Sequence, residues 1–150
     1  MRGLQNAVLI VVAVAAGAAL PLQAAINARL RVAVGGPVRA ALLSFVSGAI
    51  VLGFAALALR ESWPGASAVS RGPAWMWLGG ALGACYVSAT IVLVPKLGPA
   101  VAFALVVAGQ MAASLAIDQV GGFGVPHHPI SFARVAGAVL LVCAVALIRR

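Results

Sequence analysis

Few side chains in this sequence could do chemistry, and those few recur at helical spacing. Gln23 and Asn27 stand four residues apart, and Gln110, Ser114 and Asp118 follow one another at the same interval. Each set therefore falls on one face of a helix. Ser44 and Gly48 are also four apart, with Ser47 beside them, and Gly79, Gly83, Tyr86 and Thr90 keep a helical register. Amides and hydroxyls in such rows can hold a polar solute or tie helices together. They cannot supply a nucleophile with its base, a pair of carboxylates or a metal set. The apolar runs hold one acid, no histidine and two isolated cysteines, Cys85 and Cys143, which are expected to be small apolar fillers. No enzyme, no metal and no cofactor are expected.

The elements that must position these residues follow from composition. Of 150 residues, 64% are hydrophobic and 8% charged, too few charges to cover a water-facing surface. A soluble domain, a disordered chain and a disulfide-stapled secreted domain are excluded in favour of an all-α polytopic membrane protein. A span takes roughly 20 apolar residues, so five fill the chain and leave only short connections. The expected helices are 5–32, 37–59, 74–94, 99–119 and 131–148, forming one membrane domain over 1–150. The opening stretch imitates a signal peptide, but its apolar run continues past Pro21 to Ile26 and is long enough to span. Breaks fall at Gly35-Gly36-Pro37, at the polar stretch Arg60–Pro73 with Trp63, Trp75 and Trp77 around it, at Pro95–Pro99, and at Gly121–Pro129. Pro21 removes a backbone hydrogen bond and is expected to kink the first helix near mid-membrane.

The net charge of +8 sits at the edges of the apolar runs, where cations meet lipid headgroups, so nucleic acid is not an expected partner. Five spans put the termini on opposite sides. One side then carries Arg2, Arg60, Arg71 and Arg134, and the other Arg29, Arg31, Arg39, Lys96, Arg149 and Arg150. The bias is slight. It is compatible with a single orientation, the second side cytoplasmic, and equally with insertion both ways. The halves show no internal repeat, so inverted symmetry would need a second chain.

The expected span midpoints, near residues 18, 48, 84 and 109, put Gln23, Ser47, Tyr86, Gln110 and Ser114 at central depth, where transporters bind their solutes. Gln23, Asn27 and Gln110 are expected to line a cavity, because full amides are harder to hide than hydroxyls. Ser44-xxx-Gly48 and Gly79-xxx-Gly83 suit helix packing, and Tyr86 suits either role. Asp118 ends its helix, where a negative charge opposes the dipole, so a pair with Arg134 is expected. Arg39 opens a helix, which offers a possible anion contact against the competing reading of headgroup binding. His127 and His128 have no third ligand and are expected in a solvated turn.

Together these residues resemble a known family. Pro21-x-Gln23-Ala24-Ala25-Ile26-Asn27-Ala28-x-Leu30, Ala41-x-x-Ser44-Phe45-x-x-Gly48, Trp77-Leu78-Gly79-Gly80-x-x-Gly83, Gly109-Gln110-x-x-x-Ser114-x-x-x-Asp118 and Arg134-x-x-Gly137 look like the short YdcZ-like family of the drug/metabolite transporter superfamily. The resemblance covers nearly the whole chain. It implies five-helix subunits that pair antiparallel, as two identical dual-topology chains or two related ones, resembling a ten-helix inverted-repeat transporter. The small multidrug exporters are similar in size but keep a glutamate in their first helix, which this chain lacks. The expectation is a multi-pass transporter subunit of the bacterial cytoplasmic (inner) membrane. It would move a small polar or weakly charged solute by alternating access, as an antiparallel homodimer or as a non-autonomous partner of a related chain. Gln23, Asn27, Ser47, Tyr86, Gln110 and Ser114 would bind the solute.

Overall fold

The computed structural model describes residues 2–65 and 73–149, without the side chain of Arg2. Among them are five α-helices: α1 (Arg2–Val34), α2 (Pro37–Ala58), α3 (Leu78–Leu97), α4 (Pro99–Val120) and α5 (Phe132–Ile148). Short 3-10 turns stand at Ala74–Trp77 and Gly122–Gly124. Arg71 and Arg150, two of the cations weighed above, lie outside the described residues. The chain divides into two compact units, Met1–Pro95 and Lys96–Arg150.

The first three helices and the fourth are long and apolar enough to cross a membrane, α3 together with its preceding 3-10 turn. The fifth, with 17 residues, is shorter. At 1.5 Å per residue it reaches about 26 Å, against a hydrocarbon core of about 30 Å. Five helices are present, and four of them meet the length of a span.

Boundaries differ from expectation at informative places. α1 runs through Pro21 as expected but is longer at both ends, Arg2–Val34 rather than 5–32. The third helix begins at Leu78 rather than 74, because Ala74–Trp77 winds as a 3-10 turn. It also passes through Pro95 to Leu97. Proline lacks only one donor, so a helix can carry it near its end. The stop is set instead by Gly98, whose φ of 78° lies in the left-handed region that glycine adopts without penalty. Pro99 then opens α4 at the position where a missing N–H costs least.

In the first unit the packed core gathers near the α1–α2 turn. Ala40, Ala41, Val87 and Ile91 are buried, with Leu30, Val34 and Tyr86 against them. Ile91 is fully sealed. The Phe45 ring of α2 reaches across to α3 at Gly83, where an added Cβ would stand 3.3 Å from the ring's end. Gly48 and Gly79, expected in packed contacts, meet nothing within 4 Å. Residues 3–19 of α1 are exposed throughout, an apolar surface without a partner in its unit.

The second unit is the α4–α5 hairpin. α4 ends on Gly121 in the left-handed conformation, and Ser131 caps α5 by accepting from the Arg134 N–H at 3.3 Å.

Candidate functional site

α1 and α2 carry their polar residues on facing surfaces. Asn27 is almost fully buried, and its amide Nδ2 donates to Ser44 Oγ at 3.1 Å. An interhelical hydrogen bond thus joins the two helices where the sequence suggested a cavity-lining amide. Ser44 belongs to the small-residue pair expected only to pack, and spacing within one helix could not name its partner on another. Ser47 Oγ donates back to the Ser44 carbonyl at 2.8 Å, a bond within α2.

Gln23, one turn before Asn27, is exposed and takes no hydrogen-bond partner among the described residues. It lines a groove of about 460 Å³ together with Asn27, Ser44 and Ser47, between walls that include Leu22, Ile26 and Leu43. A second hollow of about 300 Å³ shares Gln23 and Ser44 and extends past Phe45 and Gly48 to Leu52. The amide of Gln23 therefore stands between two openings whose other walls are largely apolar.

Tyr86 of α3 packs against the core. Its hydroxyl is sealed from the surface and has no hydrogen-bond partner among the described residues. A buried hydroxyl without a partner costs free energy, so this is a place where the fold leaves a polar group for something else to satisfy. Thr90, one turn on, closes its own hydroxyl onto the Val87 carbonyl at 2.9 Å.

In the second unit Gln110 and Ser114 lie on an exposed face of α4 and make no hydrogen bond among the described residues. Asp118, one turn further, is engaged. Arg134 Nη2 donates to Asp118 Oδ2 at 2.9 Å. The same arginine gives Nη1 to the His128 carbonyl at 3.1 Å, and the His128 N–H donates to the Asp118 carbonyl at 2.9 Å. Gln119 Oε1 accepts from the Ile130 N–H at 2.8 Å, a loop closure the sequence reading did not single out. His127 and His128 are exposed in this loop, and no cluster of three potential metal ligands occurs among the described residues.

Arg39 turns back on the chain: its Nη1 donates to the Val34 carbonyl at 3.3 Å. It satisfies an open carbonyl at the end of α1, the usual task of a cation there. Cys85 and Cys143 are free and exposed.

The arrangement presents neutral hydrogen-bonding groups near the middle of apolar helices, some tied to each other and some open. A family model described as "Putative inner membrane exporter, YdcZ" matches residues 8–147. No curated protein and no solved structure matches the chain.

Proposed function

The chain belongs to the YdcZ family of inner-membrane exporters, and on that premise we propose that it is a transporter subunit working as an antiparallel pair of identical chains. The pair moves a small polar or weakly charged solute outward by alternating access. Gln23 carries this reading: an amide near mid-helix, in a span that crosses lipid, stands over an open groove with no partner in its own unit. Lipid cannot satisfy such a group, so a wet pathway or a second chain must. Gln110 and Ser114 pose the same demand in the second unit.

Asn27 holds α1 to α2 and so positions Gln23 one turn away; it serves the solute mainly through that placement. Ser47 reaches the groove with its hydroxyl turned to its own helix. Asp118 is paired with Arg134, which supports a structural role over that of a proton carrier. A wet site built of neutral amides and hydroxyls suits neutral polar solutes better than strong ions.

The test is reconstitution of this chain alone in liposomes, with flux measured for a panel of sugars, amino acids and organic acids. Saturable flux of one member, lost in Gln23→Leu and Gln110→Leu variants that still fold, supports the reading. Flux that appears only when a related five-helix chain is added makes this protein half of a heterodimer. Crosslinking that traps only parallel pairs, or only monomers, overturns the assembly.

A further inference from the structure

We propose that the cavity beside the α1–α2 turn binds the phosphate group of a membrane phospholipid. The cavity, about 860 Å³, is the largest of those described, and it lies apart from the groove that holds Gln23. Its lining has two parts. Ala25, Ala28 and Val32 on α1, with Val94 and Pro95 on α3, make an apolar floor. Arg29 and Arg31, in the last turns of α1, contribute the charge.

Among the described residues the charge has no carboxylate partner. Only two acids occur in the whole sequence, Glu61 and Asp118. Asp118 is taken by Arg134. Glu61 lies beyond the far end of α2, a 22-residue helix, so about 33 Å of helix separates it from the turn. Arg39, the third cation nearby, already donates to the Val34 carbonyl. Arg29 and Arg31 both line this hollow and make no side-chain hydrogen bond among the described residues, and guanidinium matches phosphate oxygens in paired hydrogen bonds.

The floor selects the form in which the phosphate arrives. Alanines on the cavity face of α1 leave room beside the helix, and the surfaces exposed there are methyl and methylene groups. A free phosphate would leave that floor wetted and unused. A phospholipid covers it with glycerol and upper acyl carbons while its phosphate meets the arginines. Arg29 and Arg31 lie in the last turns of α1, toward the end of the span where headgroups sit, and the floor runs from them toward the interior.

The test uses the whole chain purified in detergent and native mass spectrometry. The probes are phosphatidylglycerol, diacylglycerol with the same acyl chains, and inorganic phosphate. One phosphatidylglycerol per chain should survive stripping of loosely held lipid, while diacylglycerol should not. The double variant Arg29→Gln/Arg31→Gln should lower phosphatidylglycerol occupancy about tenfold or more, the loss expected when charge-assisted bonds worth 1.4 kcal/mol or more disappear. Ala28→Phe keeps both charges and fills the floor, and should lower lipid occupancy as well. Arg149→Gln, at the far end of the chain, should leave it unchanged.

Inorganic phosphate that binds alone and is lost in the double variant, with no lipid retained, keeps the phosphate site but overturns the lipid as its source. Equal retention of phosphatidylglycerol by the wild type and the double variant, both with the same helix content by circular dichroism, overturns the site. Equal retention of diacylglycerol and phosphatidylglycerol does so too.

Discussion

At the scale of single residues, the chain separates polar groups that hold the fold from polar groups left open. Asn27 is 3% exposed and donates to Ser44. Such bonds between membrane helices are worth about 0.6 kcal/mol on average and reach about 1.7. A double-mutant cycle of Asn27→Ala and Ser44→Ala, read by unfolding in mixed micelles, should return a coupling in that range. Zero coupling would mean that the two groups find equal partners elsewhere. Gln23, one turn away, should respond oppositely: Gln23→Leu removes an open amide, leaves unfolding unchanged within about 0.5 kcal/mol, and reduces flux. Asp118 belongs with the first class. Its partner Arg134 has a side chain 37% exposed, so solvent screens the pair and Asp118→Asn should cost about 1 kcal/mol or less, shrinking as salt is raised. Transport and its pH dependence should survive that substitution; their loss would make Asp118 a carrier of protons instead.

Helices and their joints show what the sequence could and could not disclose. The apolar runs announced five helices because lipid forces every backbone donor and acceptor to be satisfied inside the segment. Side-chain spacing placed Gln23 with Asn27, and Gln110 with Ser114, because one helix fixes its own faces. What a helix faces is a tertiary fact. The Asn27–Ser44 bond, the unpartnered Tyr86 hydroxyl and the contact of Gly83 with Phe45 had no signature in spacing. Helix ends misled for a related reason. Pro95 looked like a terminator, yet the turn belongs to Gly98, and a 3-10 turn replaced the start expected for the third span. The α4–α5 joint is the better defined of these connections, with its ion pair, three loop hydrogen bonds and the left-handed Gly121. Gly121→Ala should therefore destabilise the hairpin. Its φ of 61° disfavours a side chain, and the new Cβ would meet His127 Cβ at 3.3 Å. A loss of about 1–2 kcal/mol is expected from the backbone alone, measured by thermal unfolding in detergent. An unchanged midpoint would mean the joint relaxes without cost.

For the whole molecule, the unsatisfied surfaces and the charge distribution lead to the same question of orientation. Residues 3–19 of α1 are apolar and uncovered, and α1 at 33 residues is about 50 Å long, well beyond the thickness of the hydrocarbon core. A helix of that length tilts or projects, and either arrangement leaves surface that lipid or a second chain must cover. If all five helices span, four cations fall on one side and six on the other, counting every basic residue of the sequence, which gives little to hold a single orientation. An antiparallel pair of identical chains requires both orientations in one membrane. Single-cysteine variants at each terminus, made in a background with Cys85 and Cys143 replaced, should react with an impermeant thiol reagent from both faces of the membrane in whole cells and inverted vesicles. Adding three lysines after Arg150 should strengthen the side that already carries the excess and drive labelling of each terminus to one face. If the antiparallel pair is the working form, that fixed-orientation variant should lose flux while inserting in normal amounts. It should regain flux when co-expressed with a variant locked in the opposite orientation by lysines added near Arg60. Full flux from one locked variant alone would establish that a single orientation suffices.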